Sequence, residues 1–302
     1  MGCPRILLGQ LLNISKLIIL KKGSIMNFPI EKTIAKRSSV RSYESKKISI
    51  SDKDKLMDYI NNLSNPFNEK VSFHFIEKEL EPNGKKLGTY GIIKGATSFI
   101  GVSVPDSEFG LEAAGYEFEQ LILYATHLGL GTVWLAATFS RKEFMSAMNI
   151  DKSLLFPAIS PIGYSSEKKT IIEKLMRKLM KSNQRKPWDT LFFKNNFSTP
   201  LTKEEAGEYK TPLEMLRLAP SATNAQPWRV VKEKNHYHFY ESHKSGISAE
   251  EKSIKRVDLG IAINHFHLTV LEHNLKGKFE KIQSKMLENN NELNYIISWI
   301  AE

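Results

Sequence analysis

The feature that most constrains the fold of this 302-residue chain is a pattern that runs along it twice. In each half a polar segment, residues 42–50 and 196–200, leads to a short helical stretch, 56–63 and 213–218. Each stretch stops at a turn, Ser64-Asn65-Pro66 in one half and Pro220 in the other, and each turn leads into a strand, 71–77 and 228–231. Residues 258–275 resemble 112–129, and Gly277 takes the place of Gly131. The chain therefore reads as two diverged copies of one α+β unit. No low-complexity linker divides them, so the halves, 26–186 and 187–302, are expected to form one fused body.

Between these landmarks the local signals are ordinary. Ile30 and Ile34 open a helix, Ser51-Asp52-Lys53-Asp54 caps a second one running to about Asn62, and 96–104 reads as a strand. Residues 110–128 form a long helix with small residues at its start, stopped by Gly129-Leu130-Gly131, a lone Gly-x-Gly without the third glycine of a dinucleotide loop. Residues 132–137 are expected as a buried strand, 141–148 as a helix and 158–163 as a strand. In 171–180, Ile171, Leu175 and Leu179 share one helical face opposite Lys174, Arg177, Lys178 and Lys181. Thr211-Pro212-Leu213-Glu214 has the form of a capping box with proline at the first helical position.

Charge and cysteine content narrow the function classes. A net charge of +10 favours anionic partners, among which phosphate-bearing cofactors, nucleic acid and membrane surfaces compete with a plain solvated surface. The aromatics do not interleave with the Lys and Arg runs, so nucleic acid is not the expected partner. Cys3 is the only cysteine, which rules out a disulfide framework and fits a reducing cytoplasm. Residues 6–20 are apolar but short for a bilayer span and carry Asn13 and Lys16, so no membrane partner is expected. Residues 1–25 read as a translated leader ahead of Met26 or as a loosely docked arm. His236 and His238 share a strand face without a third ligand at metal-site spacing, and no metal is expected.

Between Pro220 and Pro227 the chain holds Ser221, Thr223, Asn224 and Gln226, and Trp228 resumes a strand. A polar loop stiffened by two prolines suits the edge of a planar ligand, because fixed donors lose little entropy on binding. It equally suits a connection whose polar groups satisfy one another. The run Ala-Pro-Ser-Ala-Thr-Asn-Ala-Gln-Pro-Trp-Arg, 219–229, resembles without a gap the Pro-Ser-x-x-Asn-x-Gln-Pro-Trp segment of the FMN-dependent nitroreductases. Arg37-Ser38-Ser39-Val40-Arg41 resembles the phosphate segment of the same family. The first half's own loop lacks Gln-Pro-Trp, and Phe193-Lys194-Asn195-Asn196-Phe197 in the second half lacks the arginine–serine pattern.

Over about 28–300 the resemblance implies a nitroreductase-like α+β fold: a single-chain pseudo-dimer with mixed or antiparallel sheets flanked by helices, one intact FMN site and no need of a second subunit. It places Arg37, Ser38, Ser39 and Arg185 at the FMN phosphate and Arg41 near flavin N1, where a cation stabilises the reduced ring. Pro220, Ser221 and Asn224 fall at the pyrimidine side. Ala136 and Ala137 stand where the family often carries glycines facing N5. The implied activity is hydride transfer from NAD(P)H through FMN to a small organic acceptor, a nitroaromatic or quinone, with no obligatory side-chain nucleophile. A flavin-binding protein without turnover, for sensing or storage, is the alternative.

Overall fold

The computed structural model describes residues 28–77, 88–167, 184–243, 246–282 and 292–302. In chain order the elements are α1 (Ile30–Lys36), α2 (Ile50–Asn61), β1 (Ser72–Glu77), β2 (Ser98–Val104), α3 (Gly110–His127), β3 (Gly131–Thr132), α4 (Arg141–Ala147) and β4 (Leu155–Gly163). There follow β5 (Phe192–Lys194), α5 (Lys203–Ala206), α6 (Lys210–Arg217), β6 (Trp228–Glu233), β7 (His236–Ser242), α7 (Ala249–Glu272), β8 (Gly277–Glu280) and β9 (Leu293–Ala301). One sheet has the order β1-β2-β4-β3, the other β5-β6-β7-β9-β8. Apart from β5, which joins β6 in parallel, the two orders are the same and every pairing is antiparallel. The duplication read from the sequence is thus a duplication of topology, and the fold is a pseudo-dimer of α+β units.

The long helices α3 and α7 form the seam. A Cβ on Gly115 would come within 2.1 Å of the Val257 carbonyl oxygen, and one on Gly260 within 2.0 Å of the Glu112 carbonyl oxygen. The two contacts exchange if Glu112 is matched with Val257 and Gly115 with Gly260, a two-fold relation. That match corrects the one read from sequence, which set Glu112 against Asp258. The match of Gly131 with Gly277 still holds, since they open the equivalent strands β3 and β8, so the difference of one residue lies in the turn that follows each helix. Apolar residues run round α3 because it packs against a sheet on one side and α7 on the other. Its buried Glu112 is met bidentately by Arg256 of α7, both contacts at 2.7 Å.

Several local expectations need amending. The cap of α2 is Ser49, whose Oγ accepts the Asp52 N–H at 3.0 Å, and not Ser51. Thr211 is not a cap: the capping box lies upstream, between Thr202 and Glu205, and α6 follows a 3-10 turn directly. Residues 132–137 do not make a continuous strand. After Thr132 the Val133 N–H turns to Ser160 Oγ at 3.1 Å, and pairing returns only as a single bridge from Leu135 to Ile159. Helix α7 starts nine residues ahead of Asp258, capped by Ser248. Residues 1–25 and 171–180 lie outside the described residues. Among the described residues, no helix is long and apolar enough to cross a membrane.

Candidate functional site

The basic segment of the first half is fixed at both ends. Glu272, the last residue of α7, accepts the N–H groups of Ile30 and Glu31 at 2.8 and 3.0 Å, which caps α1 from the other half of the molecule. Arg37 is the C-cap of α1. From there the backbone runs extended, with bridges from Ser39 to Thr132, Ser42 to Lys94 and Tyr43 to Ser165. Arg37, Ser38, Ser39 and Arg41 therefore share one pinned strand-like segment. The Thr132 Oγ1 beside it is buried and has no hydrogen-bond partner among the described residues.

Arg37 is nine-tenths buried, and its Nε lies 3.8 Å from Oε1 of Glu119 on α3. Glu119 is fully buried and also accepts Trp134 Nε1–H at 2.7 Å. His265 of α7 approaches the same carboxyl with Nε2 at 2.9 Å, while its Nδ1 stands 3.0 Å from the Met215 carbonyl oxygen. A carbonyl only accepts, so Nδ1 carries a hydrogen. The short contact to Glu119 then requires one further proton, on Nε2 or on the carboxyl. Arg37 thus shares the Glu119 carboxyl with His265 and Trp134.

The second-half loop meets this segment through a strap, residues 184–186. Asn224 Nδ2 donates to the Gln184 carbonyl at 2.9 Å, and the Lys186 N–H donates to Gln226 Oε1 at 2.8 Å. Within the loop, Gln226 N–H donates to Ser221 Oγ at 2.9 Å, and Asn224 N–H to the Ser221 carbonyl at 3.0 Å. Thr223, Asn224 and Gln226 all take positive φ, 50°, 57° and 48°, a strained run that these bonds hold in place. Asp258 of α7 lies under the loop and accepts the Ala222 N–H with both oxygens, at 3.0 and 3.1 Å. Burial pushes the Asp258 carboxyl up to about 8.

Arg185 joins the two halves of the site. Its Nη2 donates to the Leu218 carbonyl at 2.9 Å, and its Nη1 lies 3.5 Å from Asn224 Oδ1. Burial, then the neighbouring charges of Arg37 and Arg217, push its guanidinium down to about 10. Arg37 and the loop of Asn224 are thus brought together around one cation-rich point. Arg217 is paired with Glu214, at 2.9 and 2.5 Å, and keeps its charge, so that Arg185 is set against two cations, Arg37 and Arg217, in a partly dry setting. Ala136 and Ala137 are handled differently: the Ala136 carbonyl accepts from Arg141 Nη2 at 3.0 Å, which ties that stretch to α4. The sequence reading missed Glu119, Trp134, His265, Asp258 and Lys186. Acidic residues inside the apolar run of α3 were the available signal, since a buried carboxylate needs a partner.

The family described as Putative TM nitroreductase matches residues 29–270. Among solved structures the chain is similar to a putative nitroreductase from Thermotoga maritima, with 22% identity over 94% of this chain and 97% of that one and a TM-score of 0.58. A nitroreductase with bound FMN from Bacteroides fragilis matches at 16% identity over 48% of this chain and 92% of that one, TM-score 0.39. A second with bound FMN, from Desulfitobacterium hafniense, matches at 16% over 46% and 89%, TM-score 0.38. No curated protein matches the sequence.

Proposed function

The chain belongs to the Putative TM nitroreductase family and is an oxidoreductase of that kind; from this premise we propose that it holds one FMN between its halves and reduces small organic acceptors with NAD(P)H. The observation that carries the reading is the pair Arg37 and Arg185. Two guanidiniums, one nine-tenths buried and the other partly buried, that feel each other's charge are stabilised by a dianion such as a phosphate. The residues present fit that group. Arg37, Arg185, Ser38 and Ser39 would hold the phosphate, and the buried Thr132 Oγ1 beside Ser39 offers a further polar atom.

In the same reading Pro220, Ser221 and Asn224 line the pyrimidine side of the ring. Arg41 sets a cation near N1, and Ala136 and Ala137 lie toward N5. FMN, when bound, supplies the hydride acceptor and donor, so that a nitroaromatic or quinone is reduced in a second half-reaction after NAD(P)+ leaves. The chain's own contribution is placement. Glu119 orients Arg37 and Trp134 together, the strap and Asp258 hold the loop in its strained form, and a fixed cation favours the more negative reduced ring. With both halves of the site in one chain, residues 26–186 and 187–302 would act as a monomer, in the cytoplasm.

The test is the purified protein. A flavin absorbance near one FMN per chain, bleached on adding NADPH, is the expected result; colour without bleaching would support a flavin binder without turnover. Arg37→Ala should weaken FMN retention by about 1.5 to 3 kcal/mol, roughly tenfold to more than a hundredfold. Unchanged flavin affinity in that variant would remove the phosphate assignment.

A further inference from the structure

The strap 184–186 divides two groups of cations, whereas one flavin carries a single phosphate. Arg185 lies on the side of Arg37 and Arg217. Lys186, the next residue, faces the other way, toward Arg229 and Lys255, and burial followed by those two charges pushes its ammonium down to about 8. The geometry is explicit. Lys186 Nζ and Arg229 Nη1 both donate to the Gln226 carbonyl oxygen, at 3.3 and 3.2 Å, so the two charges stand within reach of one phosphate group. Arg229 Nη1 also donates to the Trp228 carbonyl at 2.6 Å, which fixes its direction.

Carbonyl dipoles soften these charges but do not cancel them. The acidic groups nearby serve the third member of the cluster. Lys255 lies 3.8 Å from Glu251 and faces Asp258 and Glu241, both of which feel its charge. Among the described residues, neither Lys186 nor Arg229 takes part in an ion pair with a carboxylate. Both side chains are only partly buried, and both flank the loop at Gln226, Lys186 from the strap and Arg229 from the start of β6. A ligand in contact with that loop would pass the second cation pair as well as the first.

We propose that Lys186 and Arg229 form a second anion subsite, which takes a phosphate of the dinucleotide hydride donor while Arg37 and Arg185 hold the flavin phosphate. The inference rests on the flavin reading above and deepens it: the donor is recognised through phosphate as well as through its nicotinamide. Its phosphates are of two kinds, the pyrophosphate common to NADH and NADPH and the 2′-phosphate of NADPH alone. Either presents the dianionic oxygens that an ammonium and a guanidinium bind together.

The experiment titrates the purified protein calorimetrically with 2′,5′-ADP and with inorganic pyrophosphate, recording flavin content from absorbance in the same samples. The wild-type chain should bind at least one of them, and Lys186→Gln and Arg229→Gln should each weaken that binding about tenfold or more, with flavin content and melting temperature retained. A loss confined to 2′,5′-ADP assigns the 2′-phosphate; a loss for pyrophosphate assigns the bridge; both support the subsite. Should Arg229→Gln fail to fold, Lys186→Gln decides alone, because its Nζ makes a single hydrogen bond among the described residues. A wild-type chain that binds neither probe, or folded variants that bind as tightly as wild type, overturns the inference. Anion binding lost in the variants of a protein that carries no flavin would sink the flavin reading and leave the anion subsite standing.

Discussion

Glu119 and Asn264 occupy matching places on the two long helices, given the pairing of Gly115 with Gly260, and they have opposite fates. Glu119 gathers Arg37, Trp134 and His265. Asn264 is just as deeply buried, yet among the described residues neither of its amide atoms has a hydrogen-bond partner. The loops tell the same story. With the six-residue strands β1 and β6 set in register, Phe67 falls opposite Thr223 and Asn68 opposite Asn224. Both asparagines take the left-handed conformation, φ 62° and 57°. The bend survives on both sides, but Thr223 is exposed whereas Phe67 is buried against Phe109 and Tyr116 of its own half, in the core cluster shared with the second half. Duplication preserved the backbone frame twice; one copy of the loop keeps polar groups at the surface and the other became packing.

The sharpest way to break this comparison is to make both helix positions apolar. Glu119→Leu strands His265, Trp134 and Arg37 and should destabilise by roughly 3 to 5 kcal/mol. Asn264→Leu relieves an unsatisfied amide and should be neutral or stabilising by about 1 to 3 kcal/mol. Urea denaturation reads both, and equal losses would mean that the two positions are not opposites. Next come the loops: Phe67→Ala should cost about 3 to 5 kcal/mol as a core truncation, Thr223→Ala within about 0.5. A Phe67→Ala protein as stable as wild type would refute the plug.

A smaller effect concerns the cations. Arg185→Met should lower FMN affinity by about 1.5 to 3 kcal/mol, whereas Lys281→Met, beside Phe109 on the plugged side, should leave it alone. Flavin release on dilution distinguishes them. A separate test is the pH dependence of two buried carboxyls that hold the loops. Burial raises Glu117, bound to Asn65 at 2.6 Å, to about 7, and Asp258 to about 8. Each keeps its proton in the folded chain over a range where the unfolded chain has lost it. Stability should therefore fall as pH rises from about 4 toward 8, with slope set by the proton difference. Glu117→Gln and Asp258→Asn should each flatten the fall between pH 5 and 8; a wild-type profile in both variants would refute the assignment.

Much of this was legible in the sequence, for reasons that differ by residue. The repeat shows because strands and amphipathic helices carry period signals, and the loop at Pro220 shows because proline and left-handed asparagine have few other uses. The contacts that unite the site were not legible. Glu119 with His265 and Asp258 with Ala222 join elements 146 and 36 residues apart, and no local pattern encodes such a meeting. The false strand at 132–137 has the same origin: an apolar run reads as a strand, but the pull of Glu119 on Trp134 and of Ser160 on Val133 breaks the ladder. The capping box at Thr211 was a motif without its geometry, since Tyr209 already stands at the helix start.

The glycine pair at the seam carries a consequence for how such a molecule can change. At Gly115 and at Gly260 a single added methyl would strike the main chain of the opposite copy, which has nowhere to move without dragging its helix along. In the two loops one copy drifted while its twin stood still. At this crossing each copy holds the other to account, and a change on one side becomes tolerable only when the facing side has already given way.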